Sequence, residues 1–416
     1  MTRFAKKQRS HFCWFDCVPA IITGSLGSAA HQNDLQPKTQ AHQEWDAATR
    51  GVREAVEYPS RGRPKTRANK RGTNLMMTIK RIVLASRPLA EPSHENFRLE
   101  DAELREAAEG DVTVRVLYLS LDPYMRGRMS DAKSYAAPVP IDGIMEGETI
   151  CEVVKSRHNG FAPGDIVRGR TGWCTGAVIN GDLLRKVETH GAPVTTAIGV
   201  LGMPGFTAWS GLKFIGKPTQ GETVAVAAAS GPVGLMVGQL AKLYGARAVG
   251  IAGGPDKCAF VKDELGFDSV VDHRSENFVS DLTAASPNGI DVYFENVGGR
   301  VWDAVLPLLN RFGRVPVCGL VSQYNGANSS QADRLPATMS AILRQSLLVR
   351  GFIQTEFAAD HFNDFLAEIG PRVASGEIRY REDVVDGLEN APDAFIGMLK
   401  GKNFGKLIVK IDGVVS

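Results

Sequence analysis

From Thr223 to about residue 355 the chain alternates strand-length apolar runs with helix-length ones: TVAVAA, PVGLMVGQLAKLYG, ARAVGIA, PDKCAFVKDELG, SVVDH, then IDVYFENV, GRVWDAVLPLLN, GRVPVCGL and LLVRGFIQ. Strands separated by a helix cannot form hairpins, so they pair in parallel and need helices on both faces of the sheet. Roughly six strands in this alternation predict a doubly wound, Rossmann-type α/β module.

The first strand-to-helix turn of that module reads ASGPVG, with Gly231 and Gly234 between the apolar strand and the helix. The missing side chain at Gly231 lets backbone approach a pyrophosphate, the free N–H groups of the helix start favour an anion, and Gly234 permits close helix–strand packing. Pro232 falls where the first helical turn has no N–H partner in any case. Ala229 stands where the full dinucleotide fingerprint has its first glycine, so the turn alone reads equally well as an ordinary strand–helix connection. The end of the second strand favours the cofactor. About 20 residues on, where NAD-specific chains put a carboxylate for the ribose 2′-OH, this chain offers Gly253, Gly254 and Lys257, with His273 and Arg274 after the third strand. Cations without a carboxylate at the strand end predict a 2′-phosphate, hence NADP(H), although Lys257 beside Asp256 also reads as a solvated helix lysine.

Residues 79–200 have another texture. KRIVLAS, DVTVRVLYLSLD, ICEVVKS and GDIVRGR are short, β-branched and separated by turn residues, the signature of an antiparallel, barrel-like module. Beyond residue 355 one helix, HFNDFLAEIGPRVASG, and a closing strand, GKLIVKI, are too little for a domain and are expected to return to the β-rich module. The expected division is therefore an extension over 1–75, the β-rich substrate module over 77–200, the cofactor module over 201–355 and the rest of the substrate module over 356–416.

Residues 1–75 carry 13 Lys and Arg against 6 Asp and Glu, while the whole chain is only +2. Their run PSRGRPKTRANKRG has no period and cannot bury a core. The segment is expected to be a disordered or non-native extension, the ordered chain opening at Met76 or Met77. CVPAIITGSLGSAA resembles a weak signal peptide but is short and broken by Pro19 and Gly24, and no run reaches the ~18 apolar residues of a membrane span. With the basic excess confined to the front, neither a nucleic-acid nor a membrane partner is expected. Six cysteines without a C-x-x-C, and isolated His94, His158 and His190, indicate no disulfide framework and no zinc site. The expectation is a cytoplasmic protein without a metal.

Six motifs then point the same way: LSLDPYMRGRM (119–129), LGMPGFTAWSGL (201–212), AASGPVGLMVGQLAK, ENVGG (295–299), CGLVSQYN (318–325) and NFGKLIV. In this order they resemble the zinc-independent medium-chain reductases, in particular the 2-alkenal reductases, prostaglandin reductases and the bacterial curcumin-reductase-like group, from about Met77 to Gly413. The resemblance implies a GroES-like substrate domain joined to a Rossmann domain, and NADPH-dependent reduction of a carbon–carbon double bond conjugated to a carbonyl. By motif, Gly231, Pro232, Val233 and Gly234 would take the pyrophosphate, and Gly253, Lys257 and His273 the 2′-phosphate. Thr207, Asn296, Asn403 and the loop with Cys318, Gly319, Ser322 and Tyr324 would contact the rest of the cofactor. Tyr124 and Tyr324 would border the substrate, Tyr324 donating to the carbonyl oxygen as enolate charge develops. The resemblance leaves monomer and homodimer open.

The chain departs from the family pattern at His273, where a tyrosine is common, at Pro232, where a small residue is usual, and at Trp209, where tyrosine is frequent. None of these removes a reacting group. The alternatives are a zinc-free quinone oxidoreductase and a non-catalytic NADPH-binding module.

Overall fold

The computed structural model describes residues 77–326 and 333–411, and the expectation for 1–75 lies outside them. Strands Thr223–Ala227, Arg247–Ala252, Ser269–Asp272, Ile290–Phe294, Leu309–Val317 and Leu348–Gly351 form one six-stranded sheet with every pairing parallel. Counted in chain order, they lie 3-2-1-4-5-6, the order of the dinucleotide-binding fold. Thr223–Ala227 shows how sequence produces this placement. All five of its residues are buried, because Val224 and Val226 enter the core on one face while Ala225 and Ala227 enter the core on the other. A strand covered on both sides must be apolar throughout.

The β-rich module pairs Thr78–Leu84 with Phe97–Glu103, and builds a second, seven-stranded sheet. Five of its strands come from Asp111 to Lys186; the other two are Glu382–Asp386 and Lys406–Lys410, from the end of the chain. In Asp111–Ser120 the core positions are Val112, Val114, Val116 and then Leu119. The change of phase coincides with a register shift between Val116 and Tyr118, since one extra residue in a strand turns all later side chains to the other face. Trp173 stacks on Phe97 at 5.6 Å and meets the edge of Phe395 at 5.7 Å.

One ion pair ties the returning strand to the DPYMRGRM motif. Lys406 donates to Asp122 Oδ1 at 2.8 Å and to the Leu121 carbonyl at 2.7 Å, and both charged side chains are buried. Ser120 Oγ donates to the other Asp122 oxygen.

Helix Thr355–Ala374 differs from the boundary expected at residue 355. Its Phe365, Ile369 and Val373 join the core of the cofactor module beside Phe206 and Trp209, and Glu368 accepts a bond from Trp209 Nε1 at 3.0 Å. Spacing of four residues places those three apolar side chains on one stripe.

Candidate active site

Strand Thr223–Ala227 ends in Ala228, whose φ of 52° is left-handed, a conformation costing a non-glycine residue about 1–2 kcal/mol. The Gly231 N–H then bonds back to the Ala228 carbonyl at 2.9 Å, and helix Gly234–Leu243 begins. A Cβ at Gly234 would stand 2.3 Å from the Ala228 oxygen, and one at Gly231 3.2 Å from it. The turn is therefore closed tightly from inside, with Gly231, Pro232 and Val233 half-buried, a cradle suited to a phosphate. Pro232 and Val233 occupy the positions between the two glycines.

Next to it, where the strand order reverses, Asn296 Nδ2 donates to the Ala227 carbonyl at 2.9 Å. The neighbouring Glu295 is 2 % exposed. Its Oε1 accepts from Tyr293 Oη at 3.0 Å, the Val297 N–H at 2.7 Å and the Gly298 N–H at 2.8 Å, while its carbonyl takes the Cys318 and Gly319 N–H groups at 3.0 and 3.2 Å. Burial raises the carboxyl's proton affinity against these donors. One acidic residue thus holds both loops of the switch point, a role the sequence reading did not assign to it. The available signal was a carboxylate at the end of an apolar strand, in FENVGG.

The Cys318–Tyr324 loop folds over this anchor. Ser322 Oγ donates to the Val297 carbonyl at 2.5 Å. A Cβ at Gly319 would come within 3.1 Å of the Tyr324 hydroxyl, so the glycine gives the phenol its room. Burial, then Glu295, pushes the Cys318 thiol up to about 12, and burial, then Cys318, raises the Tyr324 phenol.

Tyr124 opens the short helix Tyr124–Arg128. It is half-buried, and its phenol is raised by burial and by Asp122. Arg128 lies over the Tyr124 ring at 5.7 Å and over the Tyr135 ring at 4.5 Å, and Tyr135 is close enough to Tyr324 to act on its titration. Arg128 thus joins the Tyr124 and Tyr135 rings, and neither Arg128 nor Tyr135 was singled out by the sequence reading.

Past the end of strand Arg247–Ala252, a Cβ on Gly253 would meet His273 Nε2 at 2.7 Å and Arg274 Nε at 3.1 Å. Asp272 accepts the Gly254 and Arg274 N–H groups at 3.0 and 2.9 Å, fixing the turn in which His273 and Arg274 approach Gly253. Burial first, with Arg274 and Arg300 against Asp272, holds the His273 imidazole below the usual histidine range. Lys257 donates instead to the Gly401 and Asn403 carbonyls at 2.8 and 2.6 Å; burial and Arg274 lower its proton affinity. Asn403 Nδ2 donates to the Gly405 carbonyl at 2.9 Å. The Thr207 hydroxyl is engaged with its own helix, at the Met203 carbonyl, 2.8 Å. Among the described residues no three His, Cys, Asp or Glu side chains gather as a metal ion would need.

Residues 80–187 match the family model described as N-terminal domain of oxidoreductase, and residues 232–369 the one described as zinc-binding dehydrogenase. The chain is 51 % identical over 335 residues to the NADPH-dependent curcumin reductase of Escherichia coli (strain K12), covering 80 % of this chain and 97 % of that one. It is 36 % identical over 345 residues to the NADP(+)-dependent 2-alkenal reductase of Nicotiana tabacum, covering 80 % and 97 %. Among solved structures, CurA from Vibrio vulnificus in complex with NADPH is 49 % identical, covers 80 % of this chain and 100 % of its own, and superposes with a TM-score of 0.78.

Proposed function

The chain belongs to the medium-chain dehydrogenase/reductase family, and from that membership we propose that it is an NADPH-dependent reductase of carbon–carbon double bonds conjugated to a carbonyl. The observation that carries the reading is the Tyr324 hydroxyl set against Gly319, in the loop that Glu295 holds at the switch point.

The cradle at Gly231–Gly234, which a Cβ would fill, and the Gly253–Gly254 turn under His273 and Arg274 fit a phosphorylated dinucleotide. In this reading the backbone of Gly231, Pro232, Val233 and Gly234 holds the pyrophosphate. Gly253, His273 and Arg274 hold the 2′-phosphate, with Lys257 sharing its ammonium between that phosphate and the Gly401 and Asn403 carbonyls. Thr207, Asn296, Cys318, Gly319, Ser322 and Asn403 line the remaining length. Bound there, NADPH supplies hydride to the β-carbon of the substrate.

Tyr324 donates its phenolic hydrogen to the carbonyl oxygen, which gains charge as the enolate forms, and Tyr124 borders the substrate. Burial raises both phenols, so both stay protonated, as donors must. The α-carbon proton comes from solvent. We read the reaction as metal-free on the donor set, the protein as cytoplasmic, and the assembly as a homodimer. The last is supported by an exposed edge strand, Leu348–Gly351, next to Leu335, Met339 and Leu343, exposed on one stripe of a helix. We place the second boundary of the cofactor module at about residue 374 rather than 355, a reading supported by the packing of helix Thr355–Ala374.

The test is NADPH oxidation with a medium-chain 2-alkenal beside its saturated aldehyde, and beside NADH. Loss of NADPH with the alkenal alone supports the reading; faster oxidation by simple quinones, or none by either, overturns it. Tyr324→Phe should lower kcat about 100- to 1,000-fold with the Kd for NADPH held, and wild-type values for both would remove Tyr324 from the mechanism.

A further inference from the structure

Asp122, Glu146 and Glu148 all act on the Tyr124 phenol, and three of the four cations about these carboxylates are paired with them. Lys406 meets Asp122 at 2.8 Å, Arg128 meets Glu146 at 3.4 Å and Arg168 meets Glu148 at 3.4 Å. Arg170 is the fourth. It follows strand Ile166–Gly169, and the antiparallel register Thr149↔Gly169, continued by one residue, sets it across from Glu148. That carboxylate is already engaged by Arg168, and Arg170 forms no ion pair or hydrogen bond with the described residues.

The residue is exposed, yet its charge acts on Tyr124, Tyr135, Glu146 and Glu148. It stands across the strand pair from Glu148, two residues from the Glu146 that pairs with Arg128 over the Tyr124 ring. Other arginines of the module are fastened: Arg126, which also lacks a carboxylate, donates to the Ala90 carbonyl at 2.6 Å. Arg170 keeps all five donors of its planar fork free, and that fork matches two oxygens in one plane. A neutral conjugated carbonyl offers a single oxygen, which the tyrosine hydroxyls already serve.

We propose that Arg170 reads a carboxylate carried by the substrate at a distance from the conjugated double bond, so that the enzyme selects unsaturated carbonyl compounds that are also acids. This rests on the reductase reading above. The carboxylate would be held by charge-assisted, two-point hydrogen bonding, at a position where one net positive charge is left over.

The experiment compares an ω-carboxy 2-alkenal with its methyl ester, in wild type, Arg170→Met and Arg170→Lys. The expected wild-type kcat/KM for the acid exceeds that for the ester by about tenfold. Arg170→Met brings that ratio near one, through the KM of the acid, and Arg170→Lys restores part of it. Equal use of acid and ester by the wild type overturns the proposal. So does an equal fall of kcat for both compounds in Arg170→Met, which would assign Arg170 to the enolate. If neither compound oxidises NADPH, the reductase reading fails, and titration of the NADPH-loaded protein with the same pair decides for Arg170. Tighter binding of the acid, lost in Arg170→Met, then upholds the anion site, and equal or absent binding overturns it.

Discussion

Replacing Lys406 by Met removes the cation of a pair whose side chains are only 4 % and 5 % exposed. The methionine fills much the same volume, so the loss is electrostatic. Asp122 keeps one donor, Ser120 Oγ, and loses the ammonium; the Leu121 carbonyl loses the same partner. Stranding one member of a buried pair costs about 3–5 kcal/mol. At roughly 2–4 °C per kcal/mol for a chain of a few hundred residues, Tm should fall by about 6–20 °C. Adding Asp122→Asn removes the stranded charge and keeps a hydrogen-bonding group opposite Ser120, so the double variant should regain most of the loss. A double-mutant cycle in urea measures the coupling directly. Because Asp122 stands two residues before Tyr124, Lys406→Met should also lower kcat more than it changes the Kd for NADPH. A loss under about 1 kcal/mol in the single variant, or a double variant no more stable than it, would refute the reasoning.

Gly234→Ala puts a methyl 2.3 Å from the Ala228 oxygen, and should weaken NADPH binding well over tenfold in a fluorescence titration while Gly231→Ala, with 3.2 Å to the same atom, costs less. His273 is held below the usual histidine range, so it is neutral at pH 7.5 and becomes a cation only as pH falls through that lowered value. The Kd for NADPH relative to NADH should therefore fall toward pH 5 in wild type more than in His273→Asn, which subtracts the titration of the phosphate itself; identical profiles in the two proteins would remove His273 from the 2′-phosphate.

The features legible in the sequence are those set by local pattern. Val224 and Val226 against Ala225 and Ala227 announce a strand covered on both faces, and GKLIVKI announces a strand wherever it pairs. What local pattern omits is the partner. Helix Thr355–Ala374 shows an apolar stripe in the sequence, but nothing in that stripe says whether it covers the cofactor sheet or the substrate sheet. Lys257 reads as a cation near the second strand, and only the fold brings the Gly401 and Asn403 carbonyls to it from the other end of the chain. Arg128, Arg170 and Glu295 were hidden for the same reason. An arginine's meaning depends on which carboxylates are already taken, and that count exists only in three dimensions.

The position of strand Lys406–Lys410 also sets an order of assembly during synthesis. All strands of the cofactor sheet lie between Thr223 and Gly351, so that sheet has its full complement while the ribosome still holds the last two strands of the other. At roughly 5–20 residues per second, the nascent chain waits for some seconds with Val116 and Leu119 lacking the cover of Leu407 and Val409. The half that grips substrate is closed after the nucleotide half, by strand Lys406–Lys410. A message cut short before Lys406 thus yields a chain with its nucleotide fold in place and its substrate fold open, a product marked for disposal by its own exposed core.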